Sequence, residues 1–222
     1  MNDSPRPESP LGHYLHRSLF KLLSILPRQL RIFIQRLSFD LLFKASKDPW
    51  GYQDSEYEAK KRESLLNSIP SDFELLLEIG SADGHNLMAI EAEHPDTRLV
   101  GIDISSEAIQ RARERSKGTI DFQRAVPGIS QRLRQQYGTF DVLVFSEMLY
   151  YIGSKSAWKE LLAPMKTLIR PGTIVVAVHP ASDAAILHDR LAAILELEVL
   201  SNRYYPDESR PYEIRILTLP KG

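Results

Sequence analysis

The sequence predicts an α/β fold in which a doubly wound, mostly parallel sheet carries helices on both faces. Continuous apolar runs recur at 75–79, 98–102, 140–145 and 173–178. Helical stretches at 86–93, 106–117 and 157–169 alternate with them. A glycine-rich turn, Gly80-Ser81-Ala82-Asp83-Gly84, joins the first run to the first of these helices. Strands that are apolar throughout, rather than at every second position, are buried on both faces, as in a parallel sheet between helix layers. Segments 197–204 and 213–219 read as a closing strand pair.

The 222 residues suit one core, and 43% hydrophobic with 26% charged residues is ordinary for a globular chain. A net charge of −1 gives no electrostatic case for nucleic acid as a partner. The absence of cysteine removes disulfides, thiolate zinc sites and a cysteine nucleophile. The histidines show no metal-ligand spacing, and His13 and His16 read as exposed, so no metal is expected.

Two zones precede the sheet. Residues 1–10, rich in Pro, Ser and acids, read as a disordered tip without signal-peptide features. Residues 11–47 place Leu15, Leu19, Leu22, Leu23, Leu26, Leu30, Phe33, Ile34 and Leu37 at helical spacing, and Pro27 divides them into two helices. Their basic residues, set against the lone Asp40, are compatible with an anionic membrane surface; packing on the main domain with the charges in water is the other reading. The expected division is therefore a basic amphipathic extension, 1–47, and a catalytic domain, 48–222. The expected location is cytoplasmic, with the inner membrane face as the peripheral alternative. Asp48-Pro49-Trp50-Gly51-Tyr52 is a turn-rich aromatic segment, and the helix after it, 55–67, has Ser55 as N-cap with Glu58 three residues on.

The glycine turn narrows the chemistry. In open α/β sheets ligands bind at the carboxyl ends of the strands, where a residue without Cβ lets ligand atoms approach the backbone. A dinucleotide fingerprint wants small residues at turn positions one, three and six, but the sixth here is His85, and no Gly-Lys-Ser/Thr follows as in a phosphate-binding loop. The pattern is Glu78-x-Gly80-x-Ala82-x-Gly84, with Ser81 inside the turn. Asp103 ends the next strand, placed to accept both ribose hydroxyls of a nucleoside, with Ile104 after it.

This pattern resembles the first motif of the class I S-adenosylmethionine-dependent methyltransferases. Further landmarks arrive in that family's order: Phe140–Phe145 ending in Ser146-Glu147, then Arg170-Pro171-Gly172 before the next strand. The resemblance runs from residue 75 to the C-terminus. It implies a Rossmann-like seven-stranded sheet, S-adenosylmethionine as cofactor, and cofactor contacts from Glu78, Gly80, Ser81, Ala82, Gly84, Asp103, Ile104 and Ser146. The acid that many relatives place after the third strand to hold adenine is missing from Asp121-Phe122-Gln123-Arg124-Ala125-Val126-Pro127.

Two segments narrow the resemblance further. Asp48-Pro49-Trp50-Gly51-Tyr52 with Tyr57, Glu58 and Lys60, and Ser146-Glu147-Met148-Leu149-Tyr150-Tyr151, are similar to the nodulation protein S type. That group N-methylates an amino sugar of a glycan, which implies an amine on a glycan or small molecule as acceptor. Glu147 is then expected to bind the acceptor amine and help remove its proton, with a helix cap as its structural alternative; His179 is the second base candidate. Tyr150 and Tyr151 are expected at the acceptor, although helical neighbours cannot both face it. Trp50 and Tyr57 are expected as a lid over the cofactor. An O-methyltransferase and a non-catalytic cofactor-binding protein remain the competing readings, and oligomeric state is not legible.

Overall fold

The computed structural model describes residues 26–53, 55–206 and 208–221. In chain order the elements are α1 (Arg28–Ala45), α2 (Glu56–Leu66), β1 (Leu75–Ile79), α3 (His85–Glu93), β2 (Arg98–Asp103), α4 (Ser106–Ser116), β3 (Asp121–Arg124) and α5 (Ile129–Tyr137). There follow β4 (Val142–Ser146), a 3-10 turn (Leu149–Tyr151), α6 (Lys155–Leu162), a second 3-10 turn (Ala163–Leu168), β5 (Ile174–Pro180), α7 (Ala181–Leu195), β6 (Glu198–Tyr205) and β7 (Tyr212–Thr218). The seven strands form one sheet in the order β3-β2-β1-β4-β5-β7-β6. Strands β1 to β5 are parallel, and β7 inserts antiparallel between β5 and β6. This is the expected doubly wound, Rossmann-like sheet.

Side chains of a strand alternate between faces, and a sheet covered on both sides needs apolar residues on each. All five residues of β1 are buried. Leu75, Leu77 and Ile79 join Leu143, Phe145 and Trp158 in one core layer, while Leu76 joins Leu87, Ile90, Val142 and Val144 in the other. Three helices start on a capping serine: Ser55 accepts from the Glu58 N–H at 3.3 Å, Ser105 from Ala108 at 3.1 Å, and Ser154 from Ala157 at 3.2 Å.

Three elements depart from expectation, one of them α7, a helix over 181–195 that the sequence reading does not include. The stretch read as one helix over 157–169 is α6 plus a 3-10 turn, because Pro164 has no N–H to continue the α-helical ladder. Helix α5 is likewise absent from the sequence reading; its buried residues are Ile129, Ser130 and Leu133.

The first half of the predicted helix pair, with His13 and His16, lies outside the described residues. Its second half is α1, which begins directly after Pro27. This helix lies across the carboxyl edge of the sheet and is tied at both ends. Asp40 accepts from the Ser105 hydroxyl at 2.7 Å and from the Glu107 N–H at 3.2 Å. Arg111 donates to the Phe43 carbonyl and, at 2.8 Å, to that of Ser46. At the other end Arg31 meets Glu160 of α6 at 2.9 Å. Among the described residues no helix is long and apolar enough to cross a membrane.

Candidate functional site

The strand order reverses between β1 and β4, so their carboxyl ends open a crevice at the place where open α/β sheets bind ligands. The cleft there has a volume of about 450 Å³ and is walled by the β1, β2 and β4 loops below and by α1 above. A smaller recess beside the glycine turn continues it, sharing Gly80, Ala82, Ser146 and Glu147 with the main cleft. That volume lies in the range of small-molecule sites.

The turn after β1 is shaped by positive φ at Gly80 (79°), Ala82 (48°) and Gly84 (88°). A Cβ on Gly84 would stand 2.6 Å from the Phe122 ring, and one on Gly80 would stand 2.7 Å from the Met148 Cβ. Bare backbone is therefore required at both positions. Asp103 at the end of β2 is fixed by two backbone donors, Ala82 N–H at 3.0 Å and Ser105 N–H at 2.8 Å. Burial still pushes its pKa up to about 6. Glu78 is more deeply desolvated: burial raises it to about 7, although Asn86 donates to one oxygen at 2.7 Å. Its other oxygen and the Ser81 hydroxyl are buried with no hydrogen-bond partner among the described residues. Unpaired buried polar atoms are costly, and two beside one recess mark a place where a polar ligand belongs. Ile104 and the segment Ala125-Val126-Pro127 wall the far end of the cleft.

Charge collects at the near end. Glu147 follows β4 at φ 53°, a left-handed conformation that turns its carboxylate into the cleft. It receives Lys61 of α2 at 3.2 Å, Arg210 of the β6–β7 turn at 2.8 Å and the Tyr150 hydroxyl at 2.9 Å. Lys61 also meets Glu58 at 2.8 Å. Burial alone would raise the Glu147 pKa, but Lys61 and Arg210 outweigh it and bring it to about 2. The four charged groups thus balance.

Tyr150 and Tyr151 both line the cleft. A 3-10 turn separates neighbours by about 120°, and here Leu149 takes the buried direction, so the expectation that only one could face the site is corrected. Trp50 lines the cleft against Phe43, at 5.1 Å, and Tyr52, at 5.9 Å. Tyr57 does not. Its ring packs edge-on to Tyr212, with the Lys61 ammonium 4.9 Å and the Arg210 guanidinium 5.6 Å from its centre, so it supports those cations from behind. Tyr52 takes the place expected for it, bordering both cleft and recess.

His179 is also turned away. It is fully buried, and its Nε2 accepts the Leu149 N–H at 3.1 Å. A backbone amide can only donate, so the His179 proton is on Nδ1 and is donated to His188 Nε2 at 3.0 Å. His188 then carries its own proton on Nδ1, facing Glu213 at 3.7 Å. Burial, aided by Arg215, lowers the His188 pKa to about 3 and keeps that ring neutral. The pair holds the loop that carries Glu147 and offers no base to the cleft.

Lys61 and Arg210 escaped the sequence reading. Lys60, singled out there, is exposed and pairs with Glu56 at 3.1 Å.

Residues 77–175 match the family model of a methyltransferase domain. Nodulation protein S of Rhizobium tropici is 28% identical over 130 residues, which is 58% of this chain and 53% of that one. Nodulation protein S of Sinorhizobium fredii (strain NBRC 101917 / NGR234) is 27% identical over 129 residues, 57% of this chain and 58% of that one. The chain thus spans about half the length of the curated relatives it matches. The N-methyltransferase NodS from Bradyrhizobium japonicum WM9 in complex with S-adenosyl-l-homocysteine superposes with a TM-score of 0.68 at 25% identity, over 84% of this chain and 98% of that one. Magnesium protoporphyrin IX methyltransferase from Synechocystis PCC 6803 with bound SAM shares the fold, with a TM-score of 0.64 at 13% identity over 84% of this chain and 96% of that one.

Proposed function

We propose, for a chain that belongs to the class I S-adenosylmethionine-dependent methyltransferases and lies close to nodulation protein S, that it methylates an amine of an amino sugar, carried on a glycan or a small molecule. The observation that carries this reading is the carboxylate of Glu147, set in the cleft one residue beyond β4 and bordered by Tyr150 and Tyr151.

The cradle fits S-adenosylmethionine. Asp103 would hold the ribose hydroxyls, the unpaired Glu78 oxygen and Ser81 hydroxyl would face the amino-acid end, and Ile104 with Val126 would border the base. When bound, the cofactor supplies a methyl group on an already activated sulfonium. The protein is left to align the acceptor, and well-oriented proximity is worth about 7–11 kcal/mol of barrier. Glu147 orients a cationic or hydrogen-bonding amine. Against the effect of burial, Lys61 and Arg210 hold the Glu147 pKa down, which favours its orienting the amine over its taking the amine proton. Above the cofactor site, α1, Trp50 and Tyr52 limit the access of water.

The direct test is methyl transfer from labelled S-adenosylmethionine to glucosamine oligomers with a free amine, compared with fully N-acetylated ones. Label on the free-amine oligomers alone is expected. Equal labelling of the acetylated oligomers would place the methyl on oxygen and overturn the amine reading.

Cofactor affinity should also depend on pH. Burial raises Glu78 above its unfolded value, so the folded chain holds this proton more tightly. Its ionisation costs the empty protein stability, about 3 kcal/mol in all, as pH rises from 4.5 through about 7. A ligand that pairs with the ionised form reverses this preference. S-adenosylhomocysteine is expected to bind about tenfold more weakly at pH 6 than at pH 8, read by calorimetric titration. A flat profile would remove Glu78 from the ligand contacts.

A cytoplasmic position in peripheral contact with a membrane, through α1, belongs to the same proposal.

A further inference from the structure

Helix α1 has two apolar sides. One, interrupted by Gln35, faces the cleft with Ile32, Phe39 and Phe43. The other faces solvent: Leu30, Phe33, Leu37 and Leu41 are 46%, 55%, 46% and 57% exposed. Their spacing of three, four and four residues places them on one ridge along the helix. A helix that served only to cover the cleft would keep its outer side polar. Single exposed apolar residues need no explanation, but four in one row do.

The charges around the ridge decide what fits it. Lys44, three residues beyond Leu41, continues the row and is exposed, as is Lys47 just past the helix end. Arg36 borders it, 39% exposed, with Asp40 3.6 Å away on its inner side. The one acid of α1, Asp40, turns inward to Ser105 and Glu107 and is 15% exposed. The outer side is therefore apolar with a basic border, the pattern of a helix lying in the plane of an anionic lipid surface. A second copy of the chain would instead bring two basic borders together, with no acid of α1 facing out to answer them.

We infer that the ridge Leu30, Phe33, Leu37 and Leu41, with Arg36, Lys44 and Lys47, docks the protein on an anionic bilayer. This deepens the peripheral-membrane part of the reading above and holds whatever the methyl acceptor is. Docking lays α1 on the lipid headgroups with its inner side still over the cleft.

The test is cosedimentation of the full chain with phosphatidylcholine vesicles, with and without phosphatidylglycerol. The double variant Phe33→Glu/Leu37→Glu and the single variant Lys44→Glu are run alongside, and S-adenosylhomocysteine titration of each reports an intact cleft independently of lipid. Expected are partition into the anionic vesicles only, release by added salt, and at least a tenfold loss in the double variant with cofactor affinity unchanged. Lys44→Glu should reduce partition several-fold. Equal partition of wild type and double variant would put the contact elsewhere and overturn the inference. So would a wild-type dimer that the double variant dissociates without any vesicle binding. A double variant that only loses thermal stability, with no vesicle binding by wild type, would mean that the ridge is covered by the chain's own preceding residues.

Discussion

Asp103→Ala is expected to weaken S-adenosylhomocysteine binding by two to four orders of magnitude. Its carboxylate stands at the end of β2 with both oxygens already fixed by backbone donors, so each has its remaining lone pair in a set direction. Two charge-assisted bonds to ribose hydroxyls, at about 1.5–3 kcal/mol each, give that range. Alanine also strips the Ala82 and Ser105 amides of their acceptor, so the variant should melt earlier than wild type. Asp103→Asn, which keeps the shape and one of the two backbone bonds, separates the two effects: it should retain part of the thermal stability and still lose most of the affinity. A loss below tenfold in folded Asp103→Ala, by calorimetric titration, would move the nucleoside out of this end of the cleft.

Glu147→Ala should have the largest effect on methyl transfer while leaving the cofactor end nearly untouched. It removes the shared partner of Lys61 and Arg210. Lys61 is almost wholly buried and keeps Glu58, whereas Arg210 is more than a third exposed and is relieved by water. Breaking a buried pair costs about 3–5 kcal/mol, and screening at Arg210 puts this case at the lower end. For a domain of this size that is a fall of about 6–12 °C in melting temperature. Transfer to a free amino sugar should drop by at least a hundredfold, with S-adenosylhomocysteine affinity within a few-fold of wild type. Glu147→Gln should regain shape but not activity. Full activity in either variant would remove Glu147 from the acceptor site.

The parts legible in the sequence are those set by local rules. Strand β1, the turn Gly80–Gly84 and Asp103 lie within one βαβ unit, where spacing alone fixes which residues meet. The near end of the cleft obeys no such rule. Lys60 and Lys61 differ by one residue, but a helix turns 100° between them, so one reaches Glu147 and the other reaches solvent. Arg210 arrives only because β7 inserts beside β5 and turns the β6–β7 connection toward β4. His179 and Val178 are likewise neighbours on opposite faces of β5, and which face meets the cleft depends on the packed sheet. Tyr57 was misplaced for the same reason: its aromatic ring is as suited to backing two cations as to covering a ligand.

The contact between Lys61 and Glu147 spans 86 residues, whereas the bond that fixes Asp103 to Ala82 spans 21. In terms of chain entropy, the longer closure costs more and gains little until the intervening strands are in place. The nucleoside half of the cleft therefore belongs to the part of the fold that can close early. The charged half, built from contacts distant in sequence, closes after it. One end of the cleft is thus set by contacts within a single βαβ unit, and the other only by the assembled sheet.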